Sequence, residues 1–342
     1  MLTHLSLVNF RNHPKFELDL GQITVLVGDN GVGKTNVLEA VSLLSCGRSF
    51  RGDNRLEMIK FDADFARIVG DDLEIFVSRH PRLVFQAKER GVKQKIADFV
   101  GLMPSVLFSP ESLKIITGEP KERRRFLDIV ISQKNHKYYA AISSYKKVLL
   151  QRNNLLKMIA DGSATPDQLD FWDEELVKSA IEITKYRKEA VKDFSEKISD
   201  FYRTISGQKK SNIEIIYHAK ADGDFAAKLL AKRSIDIAVG LSTSGPHRDD
   251  LQFKLSGLEA EKYASRGELR SIILSLKMAE LKYLGNGVAP ILLLDDIFSE
   301  FDADHRAHLA ELIANYQTLI TTTDREHLSS KLLSSAKIIE IT

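Results

Sequence analysis

Residues Gly28 to Thr35 read GDNGVGKT, which fits the pattern G-x-x-x-x-G-K-[ST] and follows directly on the apolar run ITVLV. This spacing serves phosphate binding. Gly28, Gly31 and Gly33 let the backbone curl so that successive N–H groups point inward at phosphate oxygens, and a helix starting at Lys34 adds its partial positive charge. Lys34 is the residue that reaches the β and γ phosphates of a nucleoside triphosphate, and the Thr35 hydroxyl completes a Mg2+ shell. Asp29, Asn30, Val32 and Asn36 make up the rest of the expected nucleotide-contacting run. Such a loop needs a second acidic group at the end of a neighbouring buried strand, and ILLLDD supplies Asp295 and Asp296. Asp295 is assigned to the metal through water and Asp296 to the attacking water. The alternative for Asp296 is a cap on the segment that follows.

The elements that must hold these residues are legible as periodicities. Short strand patterns come first: LTHLSLVNF, KFELDL, ITVLV, ARIVG, LEIFVSRH and LVFQAK, interrupted by one helix from Lys34 to about Leu44. From about Pro120 the pattern is helical, first RRRFLDIVISQ to LLKMIA and then DFWDEELVK to FYRTI, which predicts an antiparallel hairpin. The turn between them, DGSATPD, offers Thr165 as N-cap and Pro166 as the first helical residue. IEIIYHA and LQFKL read as strands. A helix over about Gly267–Leu284, the strand PILLLD, a helix around HRAHLAELIANY and the strands TLITT and KIIEI follow. Sheet at both ends and helices in the middle predict an α/β core, residues 1–105 with 236–342, interrupted by a helical second lobe, residues 106–235.

Composition narrows the class. The 342 residues contain one cysteine, Cys46, so neither an internal disulfide nor a multi-cysteine metal cage can form, and a cytoplasmic setting is expected. No apolar run approaches the roughly 18 residues of a membrane span, so no membrane partner is expected. Net charge is +2. Its distribution is uneven: Lys114–Lys157 holds eleven Lys or Arg against three acids, whereas Met158–Tyr202 holds six against eleven.

YASRGELRS places Ser265 and Gly267 at the start of a helix, upstream of the carboxylate strand, and IFSEFD follows that strand. This order resembles a P-loop ATPase head of the ABC type, a mixed sheet with flanking helices. The resemblance implies that Ser265 and Gly267 of one copy close on the γ-phosphate held by another. More specifically, NFRN, GDNGVGKTN, LFSPESLKIITGEPKERRRFLD, GPHRDD, SRGELR and ILLLDDIFSEFDADHR are similar, in order and over nearly the whole chain, to the RecF family of bacterial repair proteins related to SMC ATPases. That resemblance implies ATP and Mg2+ as ligands, an ATP-dependent homodimer, DNA binding, and slow DNA-dependent ATP hydrolysis without nuclease activity. It also implies work with RecO and RecR in loading RecA at gaps, within recombinational repair and replication restart. It places Arg11 near the nucleotide, an ordinary ion pair being the alternative. Three departures stand out: Glu268 where the family has Gln, Phe301 where it has Leu, and Glu119 where a small residue is usual. His305 and His327 are expected on helix surfaces. A transporter subunit would carry a full LSGGQ-type signature, which is absent.

No helix-turn-helix, zinc-finger or RNA-recognition pattern is present, so base readout is not expected. Phosphate contacts from the basic window remain, with Arg123, Arg124, Lys146, Lys147 and Arg152 as candidates for DNA. Three consecutive arginines cannot all face one way on a helix, so some of Arg123–Arg125 have the alternative of pairing within the protein.

Overall fold

The computed structural model of the chain describes residues 1–342 apart from Asp53, Asn286 and Glu300, and apart from the side chains of Ala303, Glu311, Leu312, His327 and Lys331. The chain divides into two compact units, Met1–Ser112 with Ile273–Thr342, and Leu113–Ile272.

In the first unit, five strands form a parallel sheet in the order Lys337–Glu340, Ile23–Val27, Thr318–Thr322, Ile291–Asp295, Ser105–Phe108. ITVLV and ILLLD lie inside this sheet and are buried on both faces, which is why they read as continuous apolar runs instead of alternating ones. A second sheet of six antiparallel strands runs His13–Asp19, His4–Phe10, Phe65–Gly70, Leu73–Ser78, Val84–Glu89, Val92–Gln94. The Lys34–Cys46 helix packs against strands of both sheets, and every residue in it except Thr35 is buried. A helix enclosed on all sides has no polar stripe, and KTNVLEAVSLLSC has almost none. Its apolar side chains join the main core with Leu5, Phe10, Ile68, Ile75 and Leu293.

The second unit holds the helices. The predicted first arm is two helices, Pro120–Lys134 and His136–Ala160, because Asn135 stops one and caps the next, its side chain accepting from the N–H groups of Lys137 and Tyr138. The second arm is Leu169–Ser206, preceded by a 3-10 turn at Pro166–Gln168 in which Thr165 makes no side-chain cap bond. Leu176, Ala180, Ile183, Arg187, Ala190, Phe194, Ile198 and Tyr202 recur at three- and four-residue spacing along it and are buried. This unit continues to Ile272, well past residue 235. The cause is strand pairing: Asp250–Leu255 runs antiparallel to Ile213–His218 and Leu258–Glu259 extends the same sheet, so the segment after residue 235 belongs with the helices. Alternation in LQFKL reveals a strand but not the sheet it joins.

Candidate functional site

Within the first unit, the loop after Ile23–Val27 has the geometry its glycines predict. Gly31 and Gly33 have φ of 90° and 107°, in the left-handed region. A Cβ on Gly28 would come within 2.2 Å of the Ile341 carbonyl, and one on Gly33 would lie 2.5 Å from His13 Nε2 and 2.6 Å from Asn12 Oδ1. Asp29, Asn30 and Gly31 face solvent and Val32 packs on the core. The Lys34 ammonium, buried at the helix start, donates to the carbonyls of Gly28 and Asp29, the latter at 2.8 Å.

Three parallel strands then bring the acidic residues to the loop. Thr318–Thr322 lies between Ile23–Val27 and Ile291–Asp295, so Asp295 ends two strands away from the phosphate loop and at the same, C-terminal end of the parallel strands. Thr35 Oγ1 donates to Asp295 Oδ1 at 2.8 Å, across 260 positions of chain. Thr321 Oγ1 donates to the same oxygen at 2.8 Å and accepts from Asp296 N–H at 3.0 Å. Asp296 has φ of 50°, in the left-handed region that few residues other than Gly, Asn and Asp adopt, and it is held there by that bond and by a second one from its N–H to the Thr321 carbonyl at 3.2 Å. Thr35 and Asp295 thus present two hard oxygens side by side, the donor type Mg2+ takes. Among the described residues no cluster of three or more His, Cys, Asp or Glu could cage a metal. The donor set therefore fits an ion that keeps waters and phosphate oxygens for its remaining positions.

The motif NFRN supports the loop from the side. Asn12 Oδ1 accepts from Asn36 Nδ2 at 2.6 Å, and Asn12 Nδ2 donates to the Gly31 carbonyl at 3.4 Å. His13 Nε2 donates to the Gly33 carbonyl at 3.1 Å, and burial pushes its pKa down, so it serves as a neutral spacer. Arg11 forks Glu39, with bonds of 3.0 and 2.6 Å, and also donates to the Glu57 carbonyl at 2.8 Å. Glu39 is completely buried on the phosphate-loop helix, and Ser49 Oγ donates to it as well, at 2.5 Å. Arg51 completes the chain of contacts, donating to Asn36 Oδ1 at 2.7 Å. Of these, Asn12, His13, Glu39, Ser49, Arg51 and Thr321 were not anticipated. One sequence signal was available, an acid inside an apolar helix that needs a cation to be buried.

In the second unit, Ser265 and Glu268 cap the helix Arg266–Leu284 reciprocally. Ser265 N–H and Oγ–H both donate to Glu268 Oε2 at 2.8 Å, and Glu268 N–H points at Ser265 Oγ at 3.3 Å. This is a Ser-x-x-Glu capping box. Gly267 is exposed, and a Cβ there would meet nothing within 4 Å. The Glu268 carboxylate is answered by the serine beside it.

Two arginines of the basic window are internal, although most of its lysines are exposed. Arg123, 8% exposed, forks Asp250 at 2.6 and 3.1 Å, and Arg152, fully buried, joins Asp173 at 2.6 Å and Asp236 at 2.8 Å. Neither is free to reach DNA: withdrawing Arg152 would strand buried carboxylates, and Arg123 is itself buried and held by its fork to half-buried Asp250. Arg124 is half-buried, donating to the Asp249 carbonyl at 2.8 Å, while Lys146 and Lys147 are exposed. His305 is also not a surface residue: it is 8% exposed, bonded to Asp302 Oδ1 at 2.7 Å and stacked on Phe301. The side chain of His327, and Glu300 in the Ser-x-x-Asp loop, lie outside the described residues.

A glycine cradle on one strand end, with a carboxylate pair two strands away in a parallel sheet, defines an ABC-type ATPase head of the SMC kind. A family model, the RecF/RecN/SMC N terminal domain, matches residues 1–341. The DNA replication and repair protein RecF of Lachnoclostridium phytofermentans is 36% identical over 351 residues, covering 98% of this chain and 96% of its own. That of Lactobacillus acidophilus is 36% identical over 365 residues, covering 99% and 96%. A solved structure of the recombination mediator protein RecF with ATP, in the RecFOR pathway, superposes with a TM-score of 0.87 at 31% identity, covering 96% of this chain and 93% of that one. An Smc head from Pyrococcus furiosus, 18% identical with a TM-score of 0.53 and covering 99% and 92%, shares the fold. The chain belongs to the RecF family. No described helix is long and apolar enough to cross a membrane.

Proposed function

We propose that this chain binds ATP with Mg2+ at the Gly28–Asn36 loop, pairs with a second copy in doing so, and holds duplex DNA near single-strand gaps until slow, DNA-dependent hydrolysis releases it. The observation that carries this reading is the Thr35–Asp295–Thr321 set of contacts, which joins the phosphate loop to the carboxylate strand at the C-terminal ends of the parallel strands. Lys34 exchanges the loop carbonyls of Gly28 and Asp29 for phosphate oxygens. Thr35 and, through water, Asp295 would hold Mg2+, which supplies charge neutralisation on the phosphates. Asp296, its backbone fixed by Thr321, orients the attacking water. Arg11 acts on the nucleotide through Glu39 and the loop helix. Ser265 and Gly267 are offered to the γ-phosphate of the other copy, which requires Glu268 to release the serine.

The relatives, named as DNA replication and repair proteins, and the solved ATP complex of a recombination mediator support the setting. In it the chain would work in the cytoplasm with RecO and RecR to load RecA, with residues 1–112 and 273–342 as the ATP lobe. Sedimentation velocity with ATP, with ADP and without nucleotide tests the core of the proposal. ATP alone should bring the protein to twice its monomer mass, and Lys34→Met should leave it a monomer. A monomer that binds ATP fully yet never pairs would end the dimer reading.

A further inference from the structure

GPHRDD, residues 245–250, forms a 3-10 turn at Pro246–Arg248 in the second unit, and its neighbours fix it from several sides. Gly245 has φ of 133°, and a Cβ there would lie 2.3 Å from Tyr145 Oη. The Pro246 carbonyl accepts from Arg187 Nη1 at 2.8 Å. His247 donates from Nε2 to the Ser242 carbonyl at 2.9 Å, leaving Nδ1 to accept from the Tyr145 hydroxyl at 2.6 Å. Asp249, 1% exposed, accepts from Arg187 at 2.8 Å, from the Lys220 N–H at 2.7 Å and from the Tyr217 hydroxyl. Asp250 takes the Arg123 fork. Arg248 differs from all of these: it is exposed, and no described residue offers its guanidinium a hydrogen bond or an ion pair.

A buried ionic core is not the most stable filling for this space; an apolar one of the same volume generally does as well or better. What it does provide is a turn whose backbone is over-determined, so that the one side chain pointing to water starts from a fixed position. The surroundings suit an anion. Arg124 is bonded to the Asp249 carbonyl, Lys146 Nζ lies 3.8 Å from Asp128, and Lys220 is tied to Asp249 by its backbone. Buried Arg187 against Asp128 and Asp249 sums to −1, and with Arg124, Lys146, Lys220 and Arg248 the cluster reaches +3. A planar guanidinium matches a phosphodiester with two parallel N–H donors.

We propose that Arg248 contacts a backbone phosphate of double-stranded DNA, on a turn held rigid by Arg187, His247 and Asp249, with Arg124, Lys146 and Lys220 gathered at Asp128 and Asp249. This rests on the DNA-binding reading above and supplies contact residues that Arg123 and Arg152 cannot. Such contacts carry no sequence information and are recognised by their salt dependence.

The test is fluorescence anisotropy of a labelled random-sequence duplex against KCl concentration, with ATP and Mg2+, for the full chain, Arg248→Ala, Arg248→Lys and the control Lys209→Ala, an exposed lysine in the turn after Leu169–Ser206. Nucleotide affinity is measured in parallel with a fluorescent ATP analogue. Arg248→Ala should weaken duplex binding about 5- to 10-fold at 0.1 M salt and make the log–log slope shallower by about 1. Arg248→Lys should keep the slope, and Lys209→Ala and nucleotide affinity should not change. A parental slope in Arg248→Ala, or a loss of ATP affinity in place of DNA affinity, overturns the assignment while leaving DNA binding intact. No duplex binding by the parent protein overturns the DNA reading and this one together.

Discussion

Asp296 combines a left-handed backbone with a position at the end of the carboxylate strand, beside Asp295 and its bond to Thr35. Strain of that kind persists only where neighbours enforce it, and Thr321 does so through its carbonyl and hydroxyl. Its proposed task is to orient water, a contribution of about 100-fold or more in rate. Asp296→Asn retains the shape and the backbone bonds, so ATP affinity should stay within about twofold while single-turnover hydrolysis falls about 100-fold. Hydrolysis at the parental rate would falsify the assignment of Asp296. Arg11 teaches a different lesson about single residues. The sequence motif placed it at the nucleotide, and its guanidinium is engaged by Glu39, an acid that would otherwise be buried without a partner.

Helix starts set the properties of the elements. Asn135 divides one periodic stretch into two helices through a side-chain cap, and Ser265 with Glu268 closes the start of Arg266–Leu284. The second cap has a functional consequence, because Ser265 N–H and Oγ–H are the donors that an incoming phosphate would require. Glu268 therefore acts as an internal anion at that helix start. Gln at the same position supports the same box without a charge. Glu268→Gln should leave thermal stability nearly unchanged and tighten the ATP-dependent dimer about 3- to 10-fold, the size of one removed exposed charge near a helix start. Concentration-dependent sedimentation in ATP measures this, and a looser dimer would mean that the carboxylate contributes an attractive contact.

At the scale of the molecule, the two units differ in what fills them. The first is mainly an apolar core around an enclosed helix, with Arg11–Glu39 and Lys277–Glu280 as its inner ion pairs, and the second carries buried Arg152 and Arg187 with their acids. Charge buried in this way makes stability depend on pH. Burial, opposed by the Ser242 carbonyl and reinforced by Arg248 and Arg124, pushes the His247 pKa down to about 4. His13 in the first unit is lowered by burial too. Both bind protons more readily when unfolded, so stability is full above about pH 6.5 and falls as pH drops from there toward 4. For His247 the loss should reach about 3 kcal/mol. Urea unfolding at a series of pH values should show this decline, and His247→Gln should flatten part of it. An unchanged slope in that variant would place the proton uptake elsewhere.

Local sequence determined the phosphate loop and its flanking strand and helix, since glycine freedom, a Lys–Thr pair and a buried apolar run act within a dozen residues. It also determined that ILLLDD would end in a carboxylate pair and that two long helical arms would follow residue 120. Tertiary structure alone decided which cations are available. Arg123 and Arg152 look like surface charges in a list of residues, and distant Asp250, Asp173 and Asp236 take them inside, while Arg248 is left facing water. The same holds for the sheet that LQFKL joins and for the partner of Arg11. Periodicity records which face of an element is apolar, but the partner of a buried charge is chosen by contacts that span most of the chain.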